Sequence, residues 1–184
     1  MEKKRILVIT GSPRKNGNSD LLAEAFIEGA LQAGHTVERF DSGRKKVRGC
    51  IACDKCFTRG TACAVKDDFD EVAPLIAQAD TLVFSSPLYY FSFPAQIKGV
   101  IDRLYSFNSS PEPLKIKETV LLACGETSDL TDFEGMAKTY EKIASYLTWK
   151  DRGQLLVPGV YDKGDINTKG QDYLKSAKEL GFTL

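Results

Sequence analysis

Apolar residues alternate between two spacings along the whole chain. Lys4–Thr10 carries Ile6-Leu7-Val8-Ile9, a near-continuous run that predicts a strand buried on both faces. From Ser19 to Ala33, residues Leu22, Ala25, Phe26, Gly29 and Ala30 share one helical stripe, which stops at Gly34. His35–Asp41 alternates and predicts a more peripheral strand. Ser42–Lys66 shows neither period and reads as an insertion. A helix is expected over Asp67–Gln78, capped by Asp67 or Asp68 and kinked or split at Pro74. Strand Thr81–Ser85, a helix from Pro94 to about Tyr105, strand Thr119–Cys124, helix Thr131–Tyr146, strand Trp149–Val157 and a helix over about Thr168–Leu180 complete the series.

Five strands alternating with five helices predict one open, doubly wound α/β domain over residues 1–184, with a parallel sheet ordered 2-1-3-4-5. In such a sheet a ligand sits beyond the carboxyl ends of the strands, where the strand order reverses. That rule brings three loops together: Gly11–Asn18, Pro87–Phe93 and Gly125–Leu130.

Composition narrows the partners. Lys+Arg and Asp+Glu balance at 25 each, which gives no electrostatic case for nucleic acid or an anionic membrane. Basic residues near the N-terminus precede an apolar run of only four residues, too short for a signal peptide, and no stretch approaches the roughly 20 apolar residues of a membrane span. A cytoplasmic protein is expected. Four of the five cysteines fall within Cys50–Cys63, and such clusters in a reducing compartment carry metal or redox chemistry more often than disulfides.

The first loop, Thr10-Gly11-Ser12-Pro13-Arg14-Lys15-Asn16-Gly17-Asn18-Ser19, joins a strand to a helix with small and hydroxylated residues. A helix N-terminus there offers unpaired N–H groups and a positive dipole end to an anion. A plain helix cap is the other reading. Neither G-x-G-x-x-G nor G-x-x-x-x-G-K-[ST] is present, so dinucleotide and P-loop signatures are absent. The second loop places Tyr89, Tyr90, Phe91 and Phe93 after a buried strand. Beside an anion loop, these rings suit a planar phosphorylated ligand; a dimer interface or a cap on the core is the alternative, and a site at a subunit boundary would use both.

Gly-Ser-Pro-Arg-Lys-Asn-Gly-Asn-Ser at 11–19, followed by Ser-Pro-Leu-Tyr-Tyr-Phe-Ser-Phe-Pro-Ala-Gln-Ile-Lys-Gly-Val-Ile-Asp-Arg at 86–103, resembles the flavodoxin-like NAD(P)H-dependent FMN reductases. The resemblance implies a flavodoxin-like fold, non-covalent FMN, NAD(P)H as co-substrate, a small acceptor such as a quinone or a flavin, and a homodimer or higher homo-oligomer. By position it implies that Ser12, Arg14, Asn18 and Ser19 hold the phosphate and that Pro87, Leu88, Tyr89 and Tyr90 line the ring. Cys124, Gly125 and Glu126 fall on the ring's other side. No side chain is assigned as catalytic, because the flavin carries the hydride chemistry. The Lys98–Asp102–Arg103 helix is expected to be structural.

Cys50-x2-Cys53-x2-Cys56-x6-Cys63 is too compact for the separated pairs of a structural zinc site and suits an iron–sulfur cluster better. It resembles the motif of the iron–sulfur flavoproteins, which implies a [4Fe–4S] cluster exchanging electrons with FMN and with a ferredoxin-like carrier. Free thiols or a redox-labile pair are the alternatives. Arg44, Lys45, Lys46 and Arg48 nearby either offset cluster charge, greet an acidic carrier, or form a solvated loop. A direct reductase, an electron relay and a flavin-free binding module thus stand as separate functional readings. Cys124 alone reads as a small buried hydrophobe, His35 as structural, and Trp149 as packing.

Overall fold

The computed structural model describes residues 2–59, 63–110 and 112–184. Five parallel strands, β1 (Arg5–Thr10), β2 (Thr36–Asp41), β3 (Thr81–Pro87), β4 (Glu118–Cys124) and β5 (Lys150–Val157), form one sheet in the order β2-β1-β3-β4-β5. The continuous apolar runs are explained by burial from both sides. Ile6 and Val8 of β1 join Val83, Val120 and Leu122 in one core cluster, while Leu7 and Ile9 join Leu82, Phe84 and Leu121 in the other. The strand period of two thus divides each run between two cores.

Helix α1 (Asn18–Gln32) and α7 (Gln171–Phe182) cover the first face. They cross in direct contact because Gly29 lies against the Lys178 carbonyl and Gly181 against that of Phe26, where any Cβ would clash with backbone. Helices α3 (Phe69–Gln78), α4 (Ala95–Arg103) and α5 (Glu134–Tyr146) cover the second face. Trp149 is buried there, and His35 is buried between the starts of β1 and β2, accepting the Lys4 N–H at Nδ1.

Several expectations are corrected. The stretch from Ser42 to Lys66 is not wholly irregular: it contains a 3-10 turn, Ser42–Arg44, and a short helix, α2 (Lys55–Arg59). Pro74 does not split α3, which runs unbroken from Phe69 to Gln78. Its missing N–H leaves the carbonyl of Asp70 without a helical partner, and that residue is exposed to water. The last helix is two helices, α6 (Ile166–Lys169) and α7, parted at Gly170. Pro94 stands just before α4 as its cap residue rather than within the first turn, and the chain beyond Arg103 tightens to 3-10 geometry through Ser109.

Candidate functional site

A pocket of about 320 Å³ opens at the carboxyl edge of the sheet, lined from the loops after β1, β3, β4 and β5. Every residue that the two motifs and the third loop single out faces it: Ser12, Arg14, Asn18, Ser19, Pro87, Leu88, Tyr89, Tyr90, Cys124, Gly125 and Glu126.

The β1 loop is held from below. Ser42 donates to the Thr10 carbonyl at 2.7 Å, and Thr10 Oγ1 donates to Asp41 at 2.8 Å. Burial disfavours the Asp41 carboxylate, but bonds from Arg39, Thr10 and Arg44 hold its pKa below the usual range. Within the loop, Asn16 adopts φ 56° and its N–H meets Asp20 at 2.6 Å. Asp20 is buried at the first turn of α1, where the helix dipole favours an anion, and Arg39 and, at 3.9 Å, Arg44 offset the cost of burying its charge. No side chain caps α1, so its first N–H groups remain directed toward the pocket end of the helix, beside buried Ser12 and Ser19.

Asn18 takes a different part from its neighbours. Its Nδ2 donates to the Asp162 carbonyl at 3.0 Å, and its Oδ1 accepts from Ile166 N–H at 3.2 Å, which ties the last loop to the first. Arg14 also reaches that loop, donating to the Tyr161 carbonyl at 3.3 Å with its guanidinium 5.9 Å from the Tyr161 ring centre. The loop after β5 therefore closes one wall with Val160, Tyr161 and Lys163, none of which sequence reasoning selected; Gly17 was also missed. The only signal available was positional, since 158–164 follows a fifth strand at the same sheet edge.

The opposite wall is a two-residue hairpin. Tyr89 and Ser92 exchange both backbone hydrogen bonds, at 3.0 and 3.1 Å, across Tyr90 and Phe91. Both turn residues have positive φ, 45° and 62°, a conformation that normally selects Asn or Gly. Tyr90 is 96% exposed. Beneath the hairpin, Leu88 N–H binds the Cys124 carbonyl at 2.7 Å, and a Cβ on Gly125 would press on Leu88 and Phe133 at 3.2 and 3.3 Å. Cys124 is buried, and burial pushes its thiol up to about 12, so it stays protonated at neutral pH.

The other four cysteines meet elsewhere. Cys50, Cys53, Cys56 and Cys63 line one cavity of about 20 Å³ together with Arg103 and Tyr105 at the far end of α4. All are free thiols. Ala52 and Asp54, at φ 50° and 53°, curl the loop. The N–H of Ala52 points to Cys50 Sγ at 3.4 Å, and that of Val65 to Cys63 Sγ at 3.5 Å. Among the described residues no three His, Cys, Asp or Glu side chains are placed to hold a single metal ion. Three of the four nearby cations are matched within the chain: Arg44 with Asp41, Lys45 with Glu71 and Arg48 with Asp67. Arg103 is buried against this cavity, although the sequence reading left it out of any site.

A family model described as NADPH-dependent FMN reductase matches residues 4–131. The chain belongs to that family. The matched stretch includes the loops after β1, β3 and β4 and ends before the β5 loop, which is where this FMN reductase family member has the wall that no motif marked. Membership makes it an oxidoreductase. An iron–sulfur flavoprotein of Archaeoglobus fulgidus is 31% identical over 179 residues, covering 96% of this chain and 76% of the relative. One from Methanosarcina thermophila is 29% identical over 143 residues, covering 78% of this chain and 72% of the relative. Among solved structures, an NAD(P)H:quinone oxidoreductase from Methanothermobacter marburgensis aligns with TM-score 0.75 and 24% identity over 99% of this chain and 96% of that one, a likeness of fold. Among the described residues no helix is long and apolar enough to cross a membrane.

Proposed function

We propose that this reductase holds FMN in the four-loop pocket and passes reducing equivalents from NAD(P)H to a small acceptor such as a quinone or a flavin. The observation that carries the reading is the pocket itself. One end offers an uncapped helix, two buried hydroxyls and the Arg14 guanidinium; the other is a slot between Pro87–Tyr90 and Cys124–Glu126. The first end suits a phosphate monoester and the second a flat ring, which together describe FMN better than a dinucleotide.

When bound, FMN supplies hydride acceptance and one- or two-electron donation. The chain's part is to bind, orient and shield. Ser12 and Ser19 with the first N–H groups of α1 would take the phosphate, and Arg14, steadied by Tyr161, would close over it. Asn18 serves this end indirectly, by holding the last loop in place. Leu88 and Gly125 would set the width of the ring slot. Cys124 adds a neutral wall and no nucleophile, because its thiol keeps its proton. Tyr90, turned outward, fits a second copy of the chain in a homodimer that borders the pocket. Free thiols throughout support a reducing, cytoplasmic setting.

The test is titration of the apoprotein with FMN, followed by flavin fluorescence, in the wild type and in Ser12→Ala. Tight quenching in the wild type and weakening of about tenfold in the variant are expected from the loss of one charge-assisted hydrogen bond. A wild type that remains colourless and quenches nothing overturns the reading.

A second reading is favoured by the four-thiol cavity: a [4Fe–4S] cluster bound by Cys50, Cys53, Cys56 and Cys63 relays single electrons between FMN and a ferredoxin-like partner. The donor set fits in its chemistry, since four thiols line one cavity and two already accept N–H bonds. A cluster gives each thiolate its own iron, so its ligands stand farther apart than those of one ion, in keeping with the lack of a single-ion site. The cavity as it stands accommodates about one water, so Cys50 and Cys53, both exposed, would move outward on loading. Flavin reduction by NADH, NADPH and reduced ferredoxin, compared on one anaerobic preparation, separates direct reductase from relay.

A further inference from the structure

Arg103 is 1% exposed, yet it faces the four thiols. Its Nη1 donates to Asp67 Oδ1 at 2.5 Å, its Nη2 donates to the Val65 carbonyl at 2.8 Å, and its guanidinium lies 4.1 Å from the centre of the Phe69 ring. Among the described residues its Nε–H finds no partner. Asp67 in turn accepts from Arg48 N–H at 3.1 Å and Phe69 N–H at 3.0 Å. Arg48 lies two residues before Cys50, and Val65 two residues after Cys63. The buried pair therefore fastens together the chain entering the cysteine loop and the chain leaving it. Val65 adds a second link, because its N–H points to Cys63 Sγ while its carbonyl is gripped by Arg103.

We infer that Arg103 and Asp67 are positioning and redox-tuning residues of the four-thiol site, which rests on the reading that the loop holds an iron–sulfur cluster. A loop carrying four ligands loses much conformational freedom when they converge, and a clasp at its neck removes part of that loss beforehand. The charges act separately from the clasp. A [4Fe–4S] core with its four thiolate ligands would be anionic overall, and one-electron reduction would add a further negative charge. The Arg103 cation favours that reduced state, and Asp67 offsets the cation. The cation is the member of the pair that lines the cavity, and it has an N–H to spare for sulfur.

The experiment is anaerobic reconstitution of the full chain with ferrous iron and sulfide, followed by iron and sulfide analysis and a dithionite redox titration read by absorbance and electron paramagnetic resonance. Wild type is compared with Arg103→Gln, Asp67→Asn and Arg103→Lys. Because Arg103→Gln leaves a buried carboxylate unpaired, the double variant Asp67→Asn/Arg103→Gln is included, with FMN binding at the opposite end of α4 as the control for folding. Arg103→Gln and the double variant should weaken iron retention against a chelator by about tenfold or more. The midpoint potential should fall in Arg103→Gln, rise in Asp67→Asn, and stay near wild type in Arg103→Lys, which keeps the charge. A merely structural clasp would move both single variants in the same direction or not at all, and either result overturns the tuning role. Variants that retain iron like the wild type overturn the positioning role. A wild type that takes up no iron removes the cluster reading and this inference with it.

Discussion

The two cavities at either end of α4 are made in different ways. The larger one is a property of the sheet: four strands end at one edge, and their loops meet because the strands are in register. Its framework is tied down independently of any ligand: the Ser42 hydroxyl donates to the Thr10 carbonyl, the Ser85 hydroxyl to that of Ser19, and the Leu88 N–H to that of Cys124. The smaller one belongs to a single loop, closed at its neck by Asp67 and Arg103 and held above by two residues in the left-handed region. It is about 20 Å³ where the other is about 320 Å³. A fold can preform a pocket for a rigid ligand; a loop of ligands is completed by what it binds.

The largest effect that would break this contrast is expected at the helix end of the pocket. Ser12→Glu puts a carboxylate, buried among the first N–H groups of α1, where the phosphate is assigned. FMN affinity should fall by about 100-fold or more, from a lost charge-assisted bond plus like-charge repulsion. Iron retained by the cysteine loop should not change, because no element of that loop lines the pocket. Coupled losses in a paired FMN titration and iron analysis would show that the two cavities are one cooperative unit.

Chelation tests the reverse direction. Stripping iron anaerobically from loaded protein should raise the rate of proteolytic cleavage between Arg48 and Val65 by about tenfold, equivalent to about 1.4 kcal/mol of local stability. FMN affinity should stay within about twofold. Mass spectrometry of the fragments identifies the site of cleavage.

A smaller effect is expected at the hairpin. Tyr90 and Phe91 occupy positions that Asn-Gly fills without strain, at a cost of about 1 kcal/mol each in the present sequence. Replacing the pair by Asn-Gly should raise Tm by about 4–8 °C by calorimetry and weaken self-association in ultracentrifugation. A raised Tm with unchanged association would mean that the strain serves the pocket wall alone.

What the sequence made legible follows the same division. The strand order and three of the four pocket loops were readable, because buried parallel strands leave unbroken apolar runs and the sheet's topology then decides where loops converge. The fourth wall, Val160, Tyr161 and Lys163, carries no motif; its place depends on Asn18 bonding to Asp162 and Ile166, across 144 and 148 residues. Arg103 was read as part of a structural helix because its role depends on burial and on Asp67, 36 residues away. Asn18 was assigned to the phosphate by position in the resemblance; it does line the pocket, and its amide in addition ties two loops together, which no motif could show. Side-chain chemistry showed what each residue can do; tertiary pairing determined which of those capacities remains available.

Cys124 yields the smallest and most specific prediction. It lies on the large pocket's wall, and its burial raises the thiol from an ordinary value of 9.0 to about 12. The folded pKa is thus above the unfolded one. The stability this group contributes is complete below about pH 9 and is lost as pH rises from about 9 toward 12, at up to about 1.4 kcal/mol per pH unit. Other groups add their own alkaline pH dependence, among them Lys45, Lys138 and Lys169, each raised by a carboxylate partner. The informative quantity is therefore the difference between wild type and Cys124→Ser in denaturant unfolding. The variant should be within about 1.5 kcal/mol of wild type at pH 7 and should close that gap as pH rises above 9. FMN affinity should change little, and the native wild-type thiol should resist alkylation at pH 8 while the cysteine-loop thiols react. Parallel stability curves would mean that Cys124 is already ionised or hydrated in the folded protein, and the pocket would then be wetter at its floor than its burial implies.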